Sequence, residues 1–166
     1  MSHHSPLLPA LCLLLLVPGV ACSGQSPSEP ARSGPSPISI EASSHARINA
    51  SRREVGAADL FLDPVLTEVA RRYSERMRDE GFFGHEDPGG GGLASRLRAV
   101  GASFSLVGEN LAHISGDEDP AALAHQMLMG NEEHRANILD ARFTEIGIGV
   151  AQRGDTYWMT QIFLRP

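Results

Sequence analysis

The chain is poor in cysteine: 166 residues contain two, Cys12 and Cys22, both close to the N-terminus. With none after residue 22, the body of the chain is expected to be held by packing alone, without disulfides, and to carry no thiol chemistry. Long apolar runs are also scarce. Leu11–Val17 is too short to span a bilayer as a stable helix, and any membrane span is limited to this end of the chain. Positive charge is in deficit, with 14 Lys and Arg against 20 Asp and Glu for a net charge of −6. No basic cluster or aromatic stacking ladder offsets that deficit, so nucleic acid is not an expected partner. Several catalytic signatures are missing as well. No Gly-x-Ser-x-Gly elbow appears, Gly89–Gly92 is followed by no Lys-Ser or Lys-Thr, and Gly89 stands where a His-Glu-x-x-His motif starting at His85 needs its second histidine.

What is present begins with an export signal. The apolar core Leu11–Val17 leads into Pro18-Gly19-Val20-Ala21-Cys22, although the leading segment carries His3 and His4 rather than Lys or Arg. Small residues before Cys22 resemble a bacterial lipobox, with Gly19 where leucine is usual. The expectation is that residues 1–21 are removed and Cys22 becomes a lipidated N-terminus anchored to a membrane. Conventional cleavage near Ala21 and free secretion is the alternative, and Ser23 fits outer-membrane sorting if the host is Gram-negative. Residues 22–39 follow as a linker: between Ser23 and Ser39 there are six Ser, four Pro and two Gly, too polar and broken to bury a core. At roughly 3 Å per residue such a tether holds a domain tens of ångströms from its anchor.

Residues 40–166 form one domain, and 42% hydrophobic residues suffice for its core. A helical pattern from Ile40 stops at Gly56. Asp63-Pro64 opens the strongest helix, with Asp63 as cap and Leu66, Val69, Ala70, Tyr73 and Met77 on one face, and Gly81 ends it. The four glycines read as a flexible turn before a short helix, Leu93–Val100. Leu106–His113 reads as a strand bearing Glu109, and Asp119-Pro120 opens a helix over Ala121–Gly130. Asn131 caps another helix starting at Glu132, with Glu132 and Glu133 at its positive end. Phe143–Gln152 and Thr156–Leu164, joined by Arg153-Gly154-Asp155, read as a closing hairpin. The class is α+β.

Five stretches, in order, resemble the bacterial branch of the CAP superfamily, the cysteine-rich secretory, antigen 5 and pathogenesis-related proteins, also called the SCP-like domain. They are Asn49-Ala50-Ser51-Arg52 with Gly56, Leu60, Asp63, Leu66 and Ala70; Phe82-Phe83-Gly84-His85; Gly108-Glu109-Asn110-Leu111-Ala112; Asn131 to Leu139 running on to Val150; and Tyr157–Phe163. The resemblance covers roughly residues 40–166. It implies a three-layer α-β-α sandwich. It also implies a cleft lined by two histidines and two acidic residues, which in some members holds a divalent metal. His85 and His134 match the histidines and Glu109 one acid. The second acid is missing: Leu128-Met129-Gly130-Asn131 stands where a Trp-x-x-Glu is usual, so Asn131, Glu132 or Glu133 would have to substitute.

Two imidazoles, one carboxylate and an open position suit Zn2+ or another divalent metal. A hydrogen-bonded structural cluster of His85, Glu109 and His134 accounts for the same residues. Two functions therefore stay open. One is a non-enzymatic module of the cell envelope whose cleft binds a lipid, glycan or protein, favoured by the absent fourth ligand. The other is a metal-dependent hydrolase or peptidase using His85, Glu109 and His134. Bland roles are expected elsewhere: Glu86 and Asp87 solvated, His45, His113 and His125 at the surface or internally satisfied, Asn110 fixing backbone, and Arg135 pairing with a carboxylate or meeting an anion. Ligand identity and oligomeric state are not written in the sequence.

Overall fold

The computed structural model describes Met1, residues 34–116 and residues 118–166. The expected signal peptide, the lipidation site Cys22 and most of the expected linker lie outside them. The described elements are α1 (Pro37–Glu54), β1 (Phe61–Leu62), α2 (Pro64–Glu80), α3 (Leu93–Ala99), β2 (Leu106–Ser115), α4 (Pro120–Gly130), α5 (Glu132–Leu139), β3 (Glu145–Arg153) and β4 (Thr156–Arg165).

Three helices start the same way, with proline in the first turn behind a capping side chain: Ser36 for α1, Asp63 for α2 and Asp119 for α4. Proline's missing N–H is one the first turn cannot use, and its fixed φ suits the helix. In α1 this pulls the start to Pro37, three residues ahead of the apolar pattern. At its other end α2 stops on Gly81, whose φ of 72° is left-handed.

The sheet runs β1-β3-β4-β2. β3 and β4 form the expected antiparallel hairpin, β2 lies antiparallel on β4, and β1 pairs parallel with β3 through Phe61 opposite Glu145 and Leu62 opposite Ile146. Two residues carry no period, which is why β1 has no sequence signature.

Alternation along the strands divides the core. Ala112, Ile114, Ile146, Ile148, Val150, Met159 and Phe163 pack with Ile40, Ile48, Ala124, Leu128 and Ile138 of α1, α4 and α5. Ile162 and Leu164 pack on the other face with Leu66, Val69, Ala70 and Leu97 of α2 and α3. This is the three-layer α-β-α arrangement implied by the resemblance. It is held without disulfides: the described residues include no cysteine. Where α2 crosses β3 the backbones nearly touch. A Cβ on Gly147 would fall 2.2 Å from the carbonyl carbon of Leu66, so only glycine permits this approach.

Several buried polar groups tie elements together. Arg52 of α1 is fully buried and donates to the carbonyls of Ala58, Ile138, Asp140 and Phe143, clamping the chain before β1 to the turn after α5. Glu41 accepts from Arg71 Nε at 3.0 Å and from the Val150 amide at 3.1 Å, joining α1 and α2 around the edge of β3. Among the described residues no helix is long and apolar enough to cross a membrane.

Candidate functional site

The site begins where α2 ends. After Gly81 the chain turns back over β2, and Tyr73 anchors it by donating to the Gly84 carbonyl at 2.6 Å. The glycine run beyond is not the loose turn its composition suggests, nor is Asp87 solvated. Asp87 accepts from the amides of Gly89 and Gly91 at 3.1 and 3.0 Å and from Arg76 Nη1 at 2.7 Å. These bonds hold its carboxyl below the usual carboxylate range, the Gly91 amide foremost. The loop is wound around one half-buried carboxylate.

That loop delivers His85 to Glu109 of β2. His85 Nδ1 lies 2.9 Å from Glu109 Oε1, and Arg96 of α3 pairs with Oε2. The Glu109 side chain is 4% exposed and Arg96 11%, whereas His85 is 57% exposed. Arg96 also donates to the His85 carbonyl at 3.2 Å, and its guanidinium carbon sits 3.4 Å from the centre of the Tyr73 ring. Against an acceptor carboxylate, Nδ1 of His85 carries a proton and donates it.

His134 arrives from α5. Asn131 caps that helix, accepting from the amides of Glu133 and His134 at 3.0 and 3.1 Å. Asn110 of β2 donates to the His134 carbonyl at 3.0 Å and accepts from Asn137 at 2.9 Å, so two amides clip α5 to the strand. Burial, and then the nearness of His85, lower the His134 pKa and favour its neutral ring. The fold thus gathers His85, Glu109 and His134 beside β2.

The second acidic position holds no buried carboxylate. The side-chain oxygen of Asn131 is spent on the cap, and Glu132 and Glu133 are exposed. Among the described residues no three His, Asp, Glu or Cys side chains are grouped to hold a metal ion. The unanticipated member is Arg96. Its one signal was position: Leu93-x-x-Arg96-Leu97 places a cation where the buried face of a short helix calls for an apolar residue. Asn137 and Tyr73 were equally silent as site residues.

The remaining candidates have internal uses. Arg135 donates to the Met129 carbonyl at 3.1 Å. His45 lies 2.9 Å from the Leu60 carbonyl and His125 2.9 Å from Ser51 Oγ. Asn49, which opens an Asn-Ala-Ser sequon, is buried and bonds both the amide and the carbonyl of Leu60.

The relatives agree with this architecture. The Bacillus subtilis protein YkwD is 34% identical over 116 residues, 70% of this chain and 43% of that protein. The Bacillus subtilis membrane protein YlbC is 33% identical over 117 residues, 70% of this chain and 32% of that one. The chain therefore spans less than half the length of either. A crystal structure of an extracellular protein containing an SCP domain from Bacillus anthracis superposes with a TM-score of 0.69 and 30% identity, covering 78% of this chain and 41% of that one. The profile of the cysteine-rich secretory protein family, CAP, matches residues 45–163, and the chain belongs to that family.

Proposed function

We propose that the protein is an exported module of the bacterial cell envelope, tethered through Cys22 and the polar linker, which binds its ligand in the cleft between His85 and His134. The observation that carries the reading is the division of labour around Glu109. Both its oxygens are engaged inside the protein, by His85 and Arg96, so Glu109 orients a ring rather than reaching for a ligand. What the cleft offers is two imidazoles, one paired with Glu109 and one whose neutral form burial favours.

Imidazole donors of this kind suit a divalent cation. Imidazole nitrogen is a common Zn2+ ligand, and a metal-bound histidine usually donates its other N–H to a carboxylate, as His85 is placed to do. His85 and His134 would hold the ion, with Glu109 behind His85. A bound Zn2+ would supply a Lewis acid and a water of lowered pKa. Equilibrium dialysis against Zn2+ tests this: one equivalent is expected in the parent and none in folded His85→Ala or His134→Ala. A folded parent that retains no zinc sinks the cation part of the reading. Fatty-acid labelling in the host, lost in Cys22→Ser, tests the anchor.

The hydrolase reading has one observation of its own. A carboxylate–imidazole pair is the form of a general base. Turnover of peptide or ester substrates that survives Cys22→Ser and disappears in His85→Ala would move the protein into that class.

A further inference from the structure

The two edges of the sheet are finished differently. On the β1–β3 side several outward groups are taken: Asn49 takes the Leu60 amide and carbonyl, His45 lies against that carbonyl, and Glu41 takes the Val150 amide. On the other side β2 is a ten-residue strand bonded only to β4. The Gly116 amide donates to Asp155 on the β4 side, which fixes the parity of the ladder. Even-numbered residues of β2 therefore face β4, and Glu109, Leu111, His113 and Ser115 direct their N–H and C=O groups off the edge. Asn137 satisfies the Glu109 carbonyl. Beyond it, no described residue pairs with the outward groups of His113 or Ser115, and both residues are exposed. No proline, bulge or charged side chain of the strand blunts this stretch, which is how exposed edges are ordinarily protected.

The same stretch carries an aromatic strip. The His113 ring lies 4.8 Å from that of Trp158 on β4 and 5.8 Å from Phe83, which is half exposed and belongs to the loop that delivers His85. His113 shares its face of β2 with Glu109, about 13 Å further along the strand. Unpaired strand groups, exposed rings and the histidine cleft are thus continuous along one edge.

We propose that this edge receives an extended polypeptide segment, which adds to the sheet as a fifth strand beside residues 113–115 and seats an aromatic or aliphatic side chain on Phe83, His113 and Trp158 as it runs toward His85. The backbone groups select a polypeptide because only a strand presents donors and acceptors at the matching spacing. The rings supply side-chain preference, the division found when peptides bind by strand addition. The inference deepens the cleft reading by naming a ligand class, and it rests on that reading only for the direction in which the segment runs.

The test pans a phage-displayed library of random dodecapeptides on the folded chain and synthesises the enriched peptides. Expected are peptides whose binding slows hydrogen exchange at the His113 and Ser115 amides. They should weaken at least tenfold on Phe83→Ser and on His113→Pro. Proline at 113 removes an outward N–H without touching the ladder to β4, so the variant is expected to stay folded. Phe83→Ser leaves the strand intact if proline does not. Zinc uptake, measured in parallel, keeps the two readings apart: His113→Pro should lose the peptide and keep zinc, and His134→Ala the reverse. No enriched peptide, or peptides that leave these amides unprotected, overturns the proposal. So does protection that rises with protein concentration alone, which would mark the edge as a contact between two copies of the chain.

Discussion

Gly149 of β3 lies directly beneath the peptide joining Ala70 and Arg71 of α2, so close that a Cβ there would sit 2.0 Å from the Arg71 amide nitrogen. The neighbour is backbone, which cannot rotate aside, so Gly149→Ala must push the helix off the sheet. Overpacking usually costs about 1–3 kcal/mol, and a clash with main chain is expected at or above the upper end. Urea denaturation should show it. Gly154→Ala, in the β-hairpin turn at φ 63° with nothing within 4 Å, should cost only about 1 kcal/mol. Equal costs would mean that α2 can lift freely.

Arg52 makes a second prediction. Burial lowers its pKa, and its four bonds go to carbonyls rather than to a paired carboxylate. Lysine keeps the charge but not the fork. Arg52→Lys is therefore expected to lose about 2–4 kcal/mol in chemical denaturation, since each buried carbonyl left without a donor costs about 1–3 kcal/mol. A loss below about 1 kcal/mol would show that water replaces the guanidinium.

These residues also mark the limit of what the sequence reveals. Helices α2 and α5 were legible because cap, dipole and apolar face agree locally: Asp63 and Gly81 for one, Asn131 and Glu132 for the other. The first helix was less so. Its inward face carries Glu41, Ser44, Asn49 and Arg52, which read as surface until their partners from other elements are seen. The site divides the same way. His85, Glu109 and His134 stood out through resemblance, yet only the fold shows Arg96 on Glu109 and Asp87 inside the glycine loop. The chain contains no lysine, and several of its arginines act as internal forks. Composition alone counts them as surface charge.

Acid should destabilise the protein in a window set by histidine. Burial, and then Arg47, lower the pKa of His125, and burial and His85 lower that of His134. In the unfolded chain both titrate near about 6.5. As pH falls through that value the unfolded state takes up protons that the folded state refuses, so unfolding becomes easier; the loss grows until the lowered folded values are reached. Thermal melts from pH 7.5 to 5 should show a falling Tm, and His125→Gln should flatten the slope. An unchanged slope would place the acid sensitivity elsewhere.

The pairing of Arg96 with Glu109 separates structural from functional roles at the cleft. Glu109→Gln leaves Arg96 as a nearly buried cation without its counterion. Arg96→Met leaves Glu109 as a buried carboxylate whose remaining partner is His85. Breaking one side of a buried pair costs about 3–5 kcal/mol, whereas replacing both sides is often close to neutral. Each single variant should therefore be markedly less stable, and the double variant should recover most of the loss, giving a large coupling in a double-mutant cycle. Zinc affinity should not recover with it. The double variant still lacks the carboxylate that fixes the His85 ring, and loss of such an orienting partner typically costs about 10–100-fold in metal affinity. Denaturation and zinc titration on the same four proteins decide the matter. Stability and affinity that recover together would mean that Glu109 matters to the cleft only by keeping it folded. Stability that recovers without affinity identifies Glu109 as the group that aims His85, with Arg96 as its counterion.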